Sequence, residues 1–212
     1  MSAAPSIPAD VSRRYADGVS AEPTPDAFEL WHPDPVRQQW GDHTIEDVLN
    51  LPDDAPRVEL LDGVITVVPT PTIDHQDIAA LLYAWFRRQM PVGLKVSLMV
   101  GVAVGIRNSF EPDVLIRKAN GGGDRHFVPA DEVVLAVEVV SPSTRARDRF
   151  IKPGGYAAAG IRHYWRIEQH PVHVYAYELG DDGHYALVAD SAELIELDRP
   201  FPIKLPVAEI AP

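Results

Sequence analysis

Residues 133–140 read VVLAVEVV, a run in which every residue except Glu138 is aliphatic. Such a run predicts a central strand that is buried on both faces, as in the interior of a parallel or mixed sheet. The residues SPST at 141–144 end the strand, and a helical segment is predicted after them as far as Ala159. Because an ionised carboxylate is rarely buried without a partner, Glu138 is a candidate functional residue.

Further strands and helices are predicted on both sides of this run. Apolar runs flank Asp62-Gly63 and indicate a tight hairpin, and apolar residues recur at helical spacing over residues 74–90. Other strands are predicted over residues 95–106 and 112–117, with a turn at 107–109 between them, and in three runs from 163 to 190 that include a last hairpin at Asp182-Gly183. We therefore expect the α/β class (mixed α+β), with one mixed β-sheet flanked by helices. The 74–90 helix should pack on this sheet through Leu81, Leu82 and Trp85.

The composition is that of an ordinary globular chain. Hydrophobic residues make up 46% of the 212 residues and charged residues 24%, which suits one domain with a sizeable core. Prolines interrupt the first 40 residues repeatedly, so residues 1–41 are expected to form a poorly ordered, proline-rich leader before a domain at 42–207. No apolar run reaches the roughly 20 residues that cross a bilayer, and the N-terminus lacks the pattern of a secretory signal. We expect no membrane partner and a cytoplasmic location.

The charges and the absence of cysteine restrict the chemistry. Without cysteine, disulfides and thiolate metal sites are excluded, and a metal would be bound by carboxylate, histidine or main-chain donors. Such oxygen-rich sites suit a hard cation such as magnesium. The net charge of -12 argues against a surface made for tight, nonspecific nucleic-acid binding. Residues 145–152, RARDRFIK, are locally basic, although this stretch could equally be the solvated start of a helix.

Two carboxylates lie in apolar strands that should be neighbours. Asp113 belongs to EPDVLI at 111–116, and Glu138 interrupts VVLAVEVV. Each acid could simply pair with an arginine or lie at an exposed strand end. Two acids in matching contexts, however, raise each other's electrostatic cost unless a cation lies between them. The sequence therefore predicts a metal site that uses Asp113 and Glu138 on adjacent strands.

Several blocks resemble, in the same order, the Uma-two family of restriction endonucleases in the PD-(D/E)XK nuclease superfamily. They are RVELLDGVI, PTIDHQDIAALL, EPDVLI, LAVEVVSPST, RDRFIKPGGYAAAGIRHYWRI and VYAYEL, and together they cover roughly residues 42–205. The resemblance implies a restriction-endonuclease-like fold and a divalent-metal-dependent endonuclease that hydrolyses phosphodiester bonds. It implies DNA as the substrate and Mg²⁺ or Mn²⁺ as the cofactor. A homodimer is expected, because nucleases of this type often cut two strands with two subunits and symmetric dimers are common.

The resemblance also assigns catalytic roles. Asp113 and Glu138 match the two acids of the superfamily motif and would bind the metal, with a main-chain oxygen of Val139 as a further ligand. Val140 stands where the motif has a lysine that orients or deprotonates the attacking water and stabilises charge on the phosphate. Lys152 is the expected substitute, because the short SPST link keeps it near the Glu138 strand. Lys152 could also be an ordinary exposed lysine.

The segment after the central strand contains three more candidates. Asp148, Lys152 and Tyr156 recur every four residues and would share one face of a continuous helix, although Pro153 leaves that continuity open. Asp148 could simply pair with Lys152, and Tyr156 could be a core residue. Ser141 has no partner base nearby, so we expect it to cap the helix or to touch a phosphate rather than to act as a nucleophile.

Two candidates lie earlier in the chain. Glu59, in the first hairpin, matches an acid found early in many nucleases of the superfamily, but it could be a surface strand residue. His75 lies near the start of the 74–90 helix, and a lone histidine is more often structural or exposed than catalytic.

Two functions of different classes fit these residues. Asp113, Glu138 and Lys152 favour a metal-dependent nuclease. The valine at position 140 and the net charge of -12 favour a catalytically degenerate nuclease-fold module that binds nucleic acid or a protein partner.

Overall fold

The structure, a computed structural model, describes residues 31–52, 55–119, 125–141, 145 and 147–212. Its helices are α1 Pro35–Trp40, α2 Ile45–Leu49, α3 Ile73–Gln89 and α4 Lys152–Ala158. Its strands are β1 Val58–Leu61, β2 Val64–Val67, β3 Leu94–Leu98, β4 Gly101–Gly105, β5 Asn108–Phe110, β6 Val114–Lys118, β7 Phe127–Pro129, β8 Val133–Val139, β9 His163–Gln169, β10 Val172–Leu179, β11 Tyr185–Ser191, β12 Leu194–Leu197 and β13 Ile203–Pro206. These elements belong to one unit, His32–Pro212. Residues 1–30 of the expected leader, and residues 142–144 of the SPST link, lie outside the described residues.

The VVLAVEVV run forms β8, an interior strand of a six-stranded sheet with the order β11-β10-β9-β8-β6-β3. It pairs antiparallel with β6 and parallel with β9. Alternate side chains enter two different cores, with Val137 and Val139 in one and Ala136 in the other. The mixed sheet and the burial of β8 on both faces confirm the expected fold class. By the period of two along a strand, Glu138 points to the same side as Ala136.

A second sheet, which the sequence pattern did not predict, has the order β2-β1-β5-β4-β7. The prediction of one sheet was therefore wrong for the first hairpin and for part of the 95–106 run. The chain leaves the first sheet after β3 at Met99, whose φ of 49° breaks the extended backbone. It returns to the first sheet through Pro112, which offers no N–H for strand pairing. Asp113 follows Pro112 and thus lies where the chain passes between the two sheets.

Helix α3 covers one face of the six-stranded sheet. Ile78, Leu82, Trp85 and Phe86 repeat at helical spacing and are buried in the core that contains Val137. The prediction that Leu82 and Trp85 would pack there is confirmed, whereas Leu81 is 37% exposed. Leu81 lies one position before Leu82, and because successive residues of a helix are rotated by roughly 100°, its side chain points away from the apolar face of α3.

The parallel pair β8 and β9 is joined by a crossover that contains a π-helical turn, Arg147–Ile151, followed directly by α4. Pro153 lies in the first turn of α4, as the sequence predicted, because its missing N–H costs least there. A proline also crowds the carbonyl four residues before it, which fits the widened turn next to it. Asp148, Lys152 and Tyr156 are all buried and line the inner side of this segment.

Three smaller features differ from the sequence pattern. The end of the expected leader forms α1, which begins after the N-cap Asp34. The predicted turn at 107–109 is wrong in part, because Asn108–Phe110 is the strand that pairs with β4 and β1. The Asp182-Gly183 hairpin is present between β10 and β11, but β12 and β13 form a further one after it. Within the described part of the chain, no helix is long and apolar enough to span a membrane.

The ion pair of Arg37 and Asp47 fixes α1 against α2. Both Asp47 oxygens accept from Arg37 at 2.6 Å, and Oδ2 also accepts from the Thr44 N–H at 2.7 Å. Hydrogen bonds from Arg37 hold the pKa of Asp47 well below its usual range, with burial opposing them. A carboxylate whose pKa is lower in the folded than in the unfolded protein stabilises the fold at pH values above the unfolded pKa. This stabilisation is lost as the pH falls through the folded pKa.

We therefore expect Asp47→Asn to destabilise the protein by about 1–2 kcal/mol at pH 7. The difference from the parent should shrink below about pH 4, where the unfolded carboxylate takes up its proton. Urea unfolding at pH 7 and pH 3 measures both. The control is Glu46→Gln, an exposed acid in the same helical turn, which should change stability much less. Equal losses for the two variants would contradict this role of Asp47.

Candidate active site

Asp113 and Glu138 lie on neighbouring strands and line one cavity. The antiparallel register pairs Val114 with Val137, so its continuation by one residue puts Asp113 opposite Glu138. Asp113 Oδ2 accepts a hydrogen bond of 2.7 Å from the Val139 N–H, which ties the first acid to the strand of the second. The cavity has a volume of about 680 Å³, and both acids and Val139 contribute to its lining.

Glu138 is buried in a polar cluster beneath this cavity and is only 1% exposed. Its Oε2 accepts from Lys152 Nζ at 2.8 Å, and its Oε1 accepts from the Tyr156 hydroxyl at 2.6 Å. Burial raises the pKa of Glu138 well above its ordinary value; Lys152 opposes this shift, and the neighbouring carboxylates add to it. A cation bound at the carboxylate would therefore stabilise its ionised form.

Lys152 is a buried cation at the centre of the cluster. It is 6% exposed, and its Nζ lies 2.8 Å from Glu138, 2.9 Å from Glu59 and 3.5 Å from Asp148. Burial alone would lower the pKa of Lys152, but Glu138, Glu59 and Asp148 together raise it above the ordinary value. The amine therefore stays protonated at neutral pH. The structure brings Lys152 to Glu138, as the sequence predicted, and excludes an exposed lysine.

Glu59 reaches the cluster from β1 in the second sheet. It is buried, which excludes the surface position that the hairpin pattern left open. Its oxygens contact Lys152, accept from the Glu111 N–H at 3.0 Å and form an ion pair with Arg147. Arg147, from the basic stretch 145–152, is thus an internal partner of an acid rather than part of a solvated helix start.

His75 lies at the other side of Asp113. Thr72 caps α3, and His75 occupies its first turn, where its Nε2 lies 3.2 Å from Asp113 Oδ2. Burial would lower the pKa of His75, but the hydrogen bond and charge of Asp113 outweigh it and raise the pKa. Its Nδ1 is buried without a hydrogen-bond partner among the residues that the structure describes. His75 is therefore buried at the site and not exposed.

The remaining candidates of the crossover also surround the cavity or the cluster. Asp148 and Ser141 are buried and line the cavity. Tyr156 is a core residue, as one interpretation of the sequence had it, and its hydroxyl donates a hydrogen bond to Glu138. The π-helical turn and α4 hold Asp148, Lys152 and Tyr156 on one side, toward β8.

Three residues at the cavity were not predicted from the sequence. Glu111 precedes Asp113 in EPD, lines the cavity and pairs with Arg57 at 3.0 Å. Burial raises the pKa of Glu111, while Arg57 opposes the shift. Met99 lines the cavity from the link between β3 and β4. The first acid of EPD was the available signal for Glu111, whereas nothing in the pattern near Arg57 or Met99 indicated a site.

The donor set fits a hard divalent cation. Among the described residues, Asp113 and the polar cluster bring four carboxylates and two cations together, and carboxylate oxygens are the ligands that hard cations prefer. The acids are Glu59, Asp113, Glu138 and Asp148, and the cations are Arg147 and Lys152. Among the described residues, no three His, Asp or Glu side chains converge in the geometry of a metal site. Asp113, Glu138 and a main-chain oxygen of Val139 would together form an incomplete cage, which suits Mg²⁺ because this ion keeps several waters.

A mixed sheet that presents paired acids from adjacent strands, with a lysine beside them, defines a protein of the restriction-endonuclease-like fold. A crystal structure described as "a putative nuclease belonging to DUF820" from Anabaena variabilis is similar, with a TM-score of 0.57 at 18% identity. The match covers 79% of this chain and 96% of that one. The Uma2 family model, described as "Putative restriction endonuclease", matches residues 45–208, and the chain belongs to this family. No curated protein matches the chain. Family membership supports a nuclease function.

Proposed function

We propose that this protein is an endonuclease that hydrolyses phosphodiester bonds of DNA with Mg²⁺ or Mn²⁺ as cofactor. The observation that carries the proposal is the position of Lys152. Its Nζ lies 2.8 Å from Glu138, so the site has a cation beside the second acid although the strand has valine at position 140. The acid pair and the lysine of a PD-(D/E)XK site are thus all present, with the lysine on a different element.

Each residue has a defined role in the proposed reaction. Asp113, Glu138 and the Val139 carbonyl would hold the cation, which supplies Lewis acidity to water and phosphate when bound. Lys152 stays protonated, so it stabilises negative charge that develops on the phosphate and does not remove a proton from water. Glu59 and Tyr156 hold Lys152 and Glu138 in place. His75 orients Asp113 through the 3.2 Å contact.

The alternative is a catalytically degenerate module that binds nucleic acid or a protein partner. Val140 is buried in the apolar core, and the net charge is -12, both of which favour this alternative. The position of Lys152 beside the acid pair favours catalysis, because its amine supplies the cation that the strand lacks at position 140. Metal affinity separates the two functions, since a degenerate site should lose it.

We expect the protein to bind Mg²⁺ in calorimetry and to cut plasmid DNA only when Mg²⁺ or Mn²⁺ is present. Asp113→Asn should weaken Mg²⁺ binding by at least about tenfold and lower the cleavage rate by about 100-fold or more, because one anionic ligand is lost. The control is Asp181→Asn, which removes an exposed acid from the turn between β10 and β11, outside the lining of the cavity, and should leave cleavage unchanged. Cleavage without metal, or an equal loss of cleavage rate in both variants, would contradict the proposal. If the protein neither binds Mg²⁺ nor cuts DNA, the degenerate module is favoured.

The assembly and the location remain part of the proposal. A homodimer would place two such sites on the two strands of a duplex, and light scattering at micromolar concentration measures it. A cytoplasmic location gives the enzyme access to DNA.

A further inference from the structure

The cavity is larger and more apolar than a metal site requires. A water molecule takes about 30 Å³, so a cation with several waters would fill only part of the 680 Å³. Besides the polar residues described above, Thr70, Gln76 and Asp77 also line it, and the rest of its wall consists of small or apolar side chains from the β2–α3 link, α3 and the end of β3. They are Val68, Pro69, Pro71, Ala79, Ala80, Leu98 and Met99. Pockets of this volume with apolar walls and a few polar groups are typical of small-molecule sites.

Met99 is held at this wall by an unusual backbone. Its φ of 49° is rarely adopted by a residue with a side chain, and its N–H donates to the Asp113 carbonyl at 3.4 Å. Such conformations cluster at functional sites because the surrounding structure must hold them. The side chain is 50% exposed, flexible and polarizable, which suits contact with an aromatic ring. Met99 therefore contacts Asp113 through its backbone and also contributes an apolar side chain to the wall of the cavity.

We propose that this cavity binds the base of one unpaired nucleotide, whose phosphate lies at the acid pair. The inference rests on the proposed function and names its substrate class: single-stranded or extruded nucleotides in preference to intact duplex. A base stacked inside a duplex cannot enter a cavity, so duplex DNA must first release it at a cost in free energy. The net charge of -12 fits this substrate, because recognition of one nucleotide depends less on a broad basic surface than duplex binding does.

Calorimetry tests base binding without any cleavage. Thymidine 5′-monophosphate is a phosphomonoester and cannot be cut by an endonuclease, and 2-deoxyribose 5-phosphate has the same phosphate and sugar but no base. With saturating Mg²⁺, we expect thymidine 5′-monophosphate to bind about tenfold more tightly or better, because the base adds apolar contact with Met99 and the other apolar side chains of the wall. Equal affinities, or no binding of either compound by protein that binds Mg²⁺, would overturn the inference.

Two variants locate the base, each with a matched control. Met99→Gly removes the side chain while glycine accepts the backbone angle, and Asp62→Gly makes the same change at the other described non-glycine residue with positive φ. Ala80→Trp fills the cavity from an exposed position of α3, and Leu81→Trp adds the ring one residue away, outside the lining. Only Met99→Gly and Ala80→Trp should remove the tenfold advantage of the base, with Mg²⁺ binding unchanged in all four. If Met99→Gly and Ala80→Trp both keep the tenfold tighter binding of thymidine 5′-monophosphate, the base does not bind in this cavity and the inference is overturned.

Cleavage then separates failure of this inference from failure of the proposed function. A single-stranded oligonucleotide should be cut at least about tenfold faster than the same sequence in a duplex. If the single-stranded and the duplex oligonucleotide are cut at equal rates and cleavage still needs the metal, the proposed nuclease function stands and the single-strand preference is wrong. If neither is cut and Mg²⁺ does not bind, the proposed function itself fails, and base binding fails with it.

Discussion

Replacing Lys152 with methionine is expected to lower the rate of DNA cleavage by about 100- to 1,000-fold, because the positive charge beside Glu138 disappears while the length of the side chain is kept. The same change should destabilise the protein by roughly 3–5 kcal/mol, because Glu59, Glu138 and Asp148 are left buried without their shared cation. The sequence left open that Lys152 is an ordinary exposed lysine, whose loss would change stability little, but the amine is buried. Single-turnover cleavage and urea unfolding measure the two effects.

A second variant separates catalysis from folding. In Lys152→Met combined with Glu59→Gln, one buried negative charge is removed as well, while the glutamine oxygen can still accept from Arg147 and from the Glu111 N–H. Part of the lost stability should therefore return through the coupling of the two residues. Cleavage should remain absent, since the cation is still missing. Lys95→Met, at an exposed position on β3, controls for the loss of a lysine and should leave both properties unchanged. If the double variant cuts as fast as the parent protein, Lys152 has no role in the reaction.

Tyr156→Phe is expected to destabilise the protein by about 1.5–3 kcal/mol, because its hydroxyl donates at 2.6 Å to the buried Glu138 carboxylate. Tyr164→Phe is the matched control. Tyr164 is also buried and also donates at 2.6 Å, but to the main-chain carbonyl of Asp148, so about 0.5–1.5 kcal/mol should be lost. Urea unfolding of both variants compares a charged with a neutral acceptor, and equal losses would mean that Glu138 is not ionised in the free protein.

Tyr156→Phe should also affect the metal site. Without the hydroxyl, Glu138 Oε1 loses its donor and the carboxylate is free to turn, which should weaken Mg²⁺ binding by about tenfold. Tyr164→Phe should leave the affinity unchanged. A loss of stability without any change in Mg²⁺ affinity would make Tyr156 a core residue only.

Part of the site was predictable because two of its residues, Glu138 and Lys152, lie close together in the sequence. VVLAVEVV indicated a buried strand with one acid, and the short link after it kept Lys152 near Glu138. The sheet division was not predictable, because it depends on Met99 and Pro112, and an apolar run does not reveal where its strands separate. The pairing of Glu59 with Arg147 was also hidden, since the two residues are 88 positions apart and meet only when the second sheet packs on the crossover.

The proposed use of Lys152 on α4, in place of a lysine on the strand, has a consequence for how this protein would lose activity under stress. In an acid-x-lysine strand, acid and cation are spaced by two residues of rigid backbone. Here the cation is carried by α4, so the distance to Glu138 is kept only while the crossover is docked. Partial opening of the crossover costs less than unfolding of the whole chain. Heating or denaturant should therefore abolish cleavage reversibly before the six-stranded sheet unfolds. Val140 is buried at the end of β8 and should continue to stabilise the sheet under these conditions.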